Sequence, residues 1–121
     1  MQEQGPDTRP PIVDPRAIAA LVTGAYDNRA IATVNDHEIR MSVMTSPFGW
    51  HRHPDSDESF AVIEGELAIE FEDGEVVLRP GEFLTVPRGV VHRTRPNGAR
   101  SVNITFERTG AETEFLEDFP S

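Results

Sequence analysis

The sequence predicts an all-β domain: a sandwich or small barrel of short strands behind one N-terminal helix. Three observations carry that expectation. From Ile31 onward apolar residues recur with a period of two, which places them on one face of a strand. Turn-forming clusters interrupt the pattern about every eight to twelve residues, as in all-β sandwiches and barrels. Only one stretch, residues 14–28, has helical spacing.

Each element follows from its residues. Residues 1–13 hold Gly5, Pro6, Pro10 and Pro11 and little to bury, so they read as a flexible or extended lead-in. Asp14 can cap a helix and Pro15 suits its first position. Ile18, Leu21, Val22 and Ala25 then fall at i, i+3, i+4 and i+7, giving a helix over 14–28. Ile39, Met41 and Val43 alternate with Arg40, Ser42 and Met44 as a half-buried strand. Residues 60–63 lead through Glu64-Gly65-Glu66 into Leu67, Ile69 and Phe71, and Asp73-Gly74 marks a tight hairpin. Arg79-Pro80-Gly81-Glu82 turns the chain into residues 83–86. Pro96-Asn97-Gly98 separates a short strand at 91–95 from a last one, whose inward set is expected to be Val102, Ile104 and Phe106. Residues 107–121 form a tail of five acids and one Arg, with Phe115, Leu116 and Phe119 interspersed, open to lying across the barrel, lying on a partner or staying loose.

Composition narrows the chemistry. The chain has 121 residues, enough for one domain, and Leu, Ile, Val and Phe number 30, enough for a core. Without Cys, thiolate catalysis, iron–sulfur clusters and Cys-based zinc sites are excluded; without Lys, so is Schiff-base catalysis through a lysine. A net charge of −10 with no basic stripe argues against nucleic acid. No apolar run approaches the ~20 residues that span a bilayer. Residues 1–11 lack the basic-then-apolar design of a signal peptide, so a cytoplasmic location is expected.

Three of the four histidines are informative. His51 and His53, two apart on a strand, project from the same face, as two neighbouring ligands of one metal must. Glu58 follows the turn-forming Pro54-Asp55-Ser56-Asp57, and His92 follows Pro87-Arg88-Gly89. Together they would make a mixed nitrogen and oxygen site suited to Fe, Mn, Zn, Ni or Cu, with positions open for water or substrate. Taken singly, the pair reads as two polar strand residues, Glu58 as a solvated loop acid and His92 as a satisfied hydrogen-bond partner. His37, between Asp36 and Glu38, reads as a surface residue.

At these residues the chain resembles the cupin superfamily. The family's first motif is matched by His51-Arg52-His53, four residues, Glu58, six residues and Gly65; its leading Gly is displaced, since Gly49 stands two positions before His51. The second motif is matched by Gly81, Pro87, Gly89 and His92 at every spacing, while Pro96 occupies its final Asn position and Asn97 comes one later. Both departures lie outside the ligand set. The match and its flanking strands cover 31–106 and look like the minimal bacterial form. The resemblance implies a six-to-eight-stranded antiparallel jelly-roll β-barrel, commonly a homodimer. It also implies one divalent transition metal per chain, held inside one end by His51, His53, Glu58 and His92.

Met44, Phe60 and Phe106 are the candidate pocket residues, with core packing as the alternative for the two aromatics; Phe60 shares the parity of Glu58. Arg40, Arg93 and Arg95 read either as a clamp for an anionic substrate or as surface residues, and Trp50 is expected to point away from His51. The expected function is a metal-dependent enzyme of oxygenase or isomerase type acting on a small oxygenated molecule. The alternatives are a non-catalytic binding or sensor module and a purely structural metal. The ligands apart, no residue stands out as a general base.

Overall fold

The computed structural model describes residues 5–6 and 8–117. Phe119 and the first residues of the lead-in lie outside them. Helix α1, Pro15–Ala19, precedes β1 (Tyr26–Val34), β2 (His37–Met44), β3 (Phe48–Arg52), β4 (Glu58–Glu64), β5 (Leu67–Phe71), β6 (Gly74–Leu78), β7 (Phe83–Val86), β8 (His92–Pro96), β9 (Ser101–Arg108) and β10 (Glu114–Phe115). Two five-stranded sheets form an antiparallel jelly roll, in the orders β1-β2-β9-β4-β7 and β10-β3-β8-β5-β6. Among the described residues, no helix is long and apolar enough to cross a membrane.

The helix is shorter than the expected 14–28. Asp14 caps it, its carboxylate accepting from the Arg16 and Ala17 backbone N–H groups at 3.1 and 3.2 Å. Leu21 and Val22 then close tight turns onto Ile18 and Ala19, and Leu21 is exposed. By Tyr26 the chain is already paired with Met44 of β2, and the long β1–β2 ladder supplies hydrogen bonds that further helical turns would forgo.

The tail lies against the barrel. β9 runs two residues beyond Phe106, and β10 adds to the second sheet by pairing Glu114 with Arg52 and Phe115 with His51. The Asp73-Gly74 hairpin forms one residue earlier: Phe71 pairs with Gly74, leaving Glu72 and Asp73 as the loop. Gly65 takes φ +71, and a Cβ there would lie 2.1 Å from the Arg100 carbonyl oxygen, so only glycine fits this crossing.

Two apolar clusters hold the fold. One lies inside the barrel, from Met44, Phe60, Val62, Leu67, Ile69, Leu78 and Val86. The other lies outside the first sheet, where Met41, Val43, Val102 and Ile104 pack under Ala19, Ile18 and Val22 of the helical segment. The expected inward set of the last strand is therefore reversed. Val102 and Ile104 face the helix, Phe106 on the same face is 42% exposed, and Asn103, Thr105 and Glu107 point into the barrel. Phe106 is no pocket residue. Alternation sets which residues share a face, but both faces of β9 are buried, so alternation alone cannot say which face is inside.

Candidate metal centre

The two sheets bring the four sequence-predicted donors together. His51 on β3 stands opposite His92 at the start of β8, and His53 follows β3 directly. Glu58 opens β4 in the other sheet. The stretch between His53 and Glu58 is pinned: the Gly89 N–H donates to the His53 carbonyl at 2.8 Å and the Arg88 N–H to Asp57 Oδ1 at 2.8 Å. The bend at Pro87-Arg88-Gly89 that delivers His92 is thus tied to the turn that delivers Glu58.

One donor atom from each of His51, His53, Glu58 and His92 lies within 4.8 Å of all the others, and all four residues are buried. Every imidazole is oriented by a backbone carbonyl. His51 Nδ1 meets the Gly49 oxygen at 2.7 Å, His92 Nδ1 the Val90 oxygen at 2.9 Å, and His53 Nδ1 the Glu112 oxygen at 2.9 Å. A carbonyl can only accept, so each Nδ1 carries hydrogen and each Nε2 is left for the cluster. His92 Nε2 lies 3.3 Å and His53 Nε2 3.2 Å from Glu58 Oε1, yet His53 Nε2 is buried without a hydrogen bond. Three imidazole nitrogens and a carboxylate, one of them an orphaned buried atom, fit the demands of a divalent transition metal.

In the metal-free chain, burial and the Glu58 charge set the protonation of the donors. Burial pushes the His51 imidazole down to about 4, helped by His92, so it is neutral at pH 7. Burial also opposes a charge on His53, but the adjacent Glu58 carboxylate outweighs it and raises His53 to about 9. Burial would raise Glu58, and its contacts with His53 and His92 override that and hold it at about 2.

The cluster opens onto a cavity of about 330 Å³. Met44 and Phe60, which also belong to the inner core, line it, and so does Arg40, in contrast to its surface reading. Arg93 and Arg95 point outward and pair with Glu70 and Glu75; Arg93 also lies over the Trp50 ring, 4.9 Å from its centre. His37 is half-exposed beside Asp36. Two features escaped sequence reasoning. Glu107 lines the cavity, its carboxyl raised to about 7 by burial and by the negative charge of Glu58. Gly110, Ala111 and Thr113 of the tail close one side, with Phe115 against the rings of Phe48 and His51. Parity with Asn103 could have found Glu107; no local signal marks the tail.

A ten-stranded antiparallel barrel with a buried His₃Glu cluster at one end defines a class of small β-barrel proteins built around an internal site. Residues 33–106 match the family model described as Cupin domain, and the chain belongs to the cupin family. It is 48% identical over 105 residues to YdbB of Bacillus subtilis (strain 168), covering 86% of this chain and 92% of that protein. Among solved structures, it resembles a cupin-2 domain-containing protein of Shewanella frigidimarina, with 30% identity, TM-score 0.75, and 80% and 94% of the two chains covered. A protein of Neisseria meningitidis shares the fold at 24% identity, with TM-score 0.72 and 81% and 99% covered.

Proposed function

We propose that this cupin binds one divalent transition metal (Fe, Mn, Zn, Ni or Cu) through His51, His53, Glu58 and His92 and acts on a small oxygenated molecule in the barrel cavity. The observation that carries this reading is the convergence of four buried donors whose imidazoles all turn Nε2 towards one another and Glu58. A bound divalent ion would supply Lewis-acid polarisation of a substrate oxygen. The chain's own residues would do the rest: Phe48 and Phe60 keep the donors away from bulk water, and the Glu107 carboxyl stands ready to move a proton within the cavity. That proton-transfer group supports an enzyme, of oxygenase or isomerase type, over a purely binding module. The fold does not select among such reactions.

The reading extends to a cytoplasmic homodimer. Phe83 is 75% exposed and lies on the same outer sheet face as Phe106, which supports a second copy of the chain as the occupant of that face. The acidic net charge supports a role away from nucleic acid.

Elemental analysis tests the central claim. The purified chain is expected to carry close to one metal ion, and alanine at His51, His53 or His92 to abolish it. Unchanged metal content in those variants would overturn the assignment.

A further inference from the structure

One wall of the cavity has no part in the proposed chelate, yet it carries two buried oxygens with no hydrogen-bond partner. Thr105 is 2% exposed and its Oγ1 has no hydrogen-bond partner. Asn103 is fully buried; its side-chain nitrogen already donates to Ser42 Oγ at 3.2 Å and Ser101 Oγ at 3.3 Å, while Oδ1 is left without a partner. Both side chains line the same cavity as His51, His53 and Glu58. The β4–β9 register places Thr105 opposite Phe60 and Asn103 opposite Val62, so the two free oxygens sit beside apolar neighbours. Leaving two buried polar atoms unsatisfied costs more than ordinary hydrogen bonds return, so such atoms call for an occupant.

The charges of the cavity say what kind. Apart from the donor histidines, its one cation among the described lining residues, Arg40, is already taken: Nε donates to Asn28 Oδ1 at 2.6 Å and a terminal nitrogen to Glu38 at 3.0 Å. Glu38, Glu58 and Glu107 line the same space. An anionic group on this wall would meet carboxylates and no unengaged cation. A hydroxyl would find an acceptor in Asn103 Oδ1 and either role in Thr105 Oγ1.

We propose that Asn103 and Thr105 form a recognition wall for the hydroxyl groups of a small uncharged polyol or hydroxy-carbonyl compound whose other end reaches the His51–His53–Glu58–His92 cluster. This rests on the metal-binding reading above and assigns its substrate class. Asn103 is held in place through Ser42 and Ser101, so the wall is preorganised, and specificity resides in β9 while the proposed chelate lies on β3, β4 and β8 and the turn after β3.

The test uses the full nitrogen-15-labelled chain loaded with zinc. Erythritol, D-xylose and dihydroxyacetone serve as uncharged probes, with glycolate and inorganic phosphate as anionic ones. At least one uncharged probe is expected to shift the β9 amide resonances, and Thr105→Val, which preserves shape, to weaken that binding about fivefold with zinc content unchanged. Glycolate, engaging the chelate end, is expected to be insensitive to Thr105→Val. Three outcomes would overturn the proposal: β9 resonances unmoved by every uncharged probe, polyol affinity unchanged in Thr105→Val, or phosphate or glycolate moving β9 more strongly than any polyol. Failure of the metal reading shows separately, as zinc retained by His51→Ala, while the dependence of polyol binding on Thr105 is still read.

Discussion

Along β2 and β9, the two faces of the β1-β2-β9-β4-β7 sheet reverse the usual division of labour. The face turned away from the barrel is the apolar one, with Met41, Val43, Val102 and Ile104 buried beneath α1 and the turns after it. Apart from Met44, the face of β2 and β9 turned into the barrel carries Arg40, Ser42, Asn103, Thr105 and Glu107, while β4 and β7 keep Phe60, Val62 and Val86 inward. In the opposite sheet the order is the ordinary one: Leu67 and Ile69 point inward, while Arg93 and Arg95 pair with acids outside. A five-residue helix and its following turns thus do more than plug a surface. By supplying an external core, they free one inner wall of the barrel to be polar, and a cavity with chemistry needs such a wall.

The contrast can be broken from the outside first. Met41→Ala, at a fully buried position of the external cluster, is expected to cost about 2–5 kcal/mol in urea unfolding, because a cavity opens where α1 covers the sheet. A loss below 1 kcal/mol would mean that the outer cluster contributes little.

The inner face should govern the response to pH. In the metal-free chain, His51 is held near 4 against an ordinary 6.5, and Glu58 near 2 against 4.5. In both cases the unfolded chain takes up the proton first on acidification, so their stabilisation is lost as pH falls, from 6.5 towards 4 for His51 and from 4.5 towards 2 for Glu58. His53 works in the opposite sense. Raised to about 9, it stabilises fully below 6.5 and loses that contribution as pH rises through 9. Glu107, raised to about 7 from 4.5, loses its contribution as pH rises from 4.5 to 7 and offsets the His51 gain, so melting temperature should hold a plateau from about pH 4.5 to 6.5 and fall on both sides. Met41→Ala should lower the whole profile without changing its shape; a flat profile would sever the titrating groups from stability.

The smallest effect sharpens the comparison most. Thr105→Val removes a buried hydroxyl that has no partner, so the unliganded chain is expected to gain up to about 1 kcal/mol, read in the same urea titration. A loss of similar size would mean that the hydroxyl is satisfied in the free protein.

Much of the site was legible because its signals are local. His51 and His53 share a face by parity, the spacings from His51 to Gly65 and from Gly81 to His92 carry both family motifs, and Phe60 shares the parity of Glu58. Phe106 was misplaced for a physical reason. Along β9 the polar set Asn103, Thr105 and Glu107 is as regular as the apolar set Val102, Ile104 and Phe106, and hydrophobicity argued for the wrong one. The end of the helix was missed because Val22 and Ala25 continue a helical spacing that strand pairing at Tyr26 overrides. The role of the tail was invisible, since Glu112 reaches His53 through its backbone carbonyl, a group every residue carries.

By itself the sequence determined the β periodicity, the turns and the candidate donors, because each is marked by residues close together in the chain. The tertiary structure alone decided which side of each strand became interior, how the tail closes the cavity, and that Asn103, Thr105 and Glu107 meet the donor cluster. Those outcomes depend on which surfaces cover one another, and a pattern with two burial-competent faces leaves that choice to the packing of the helical segment on the sheet.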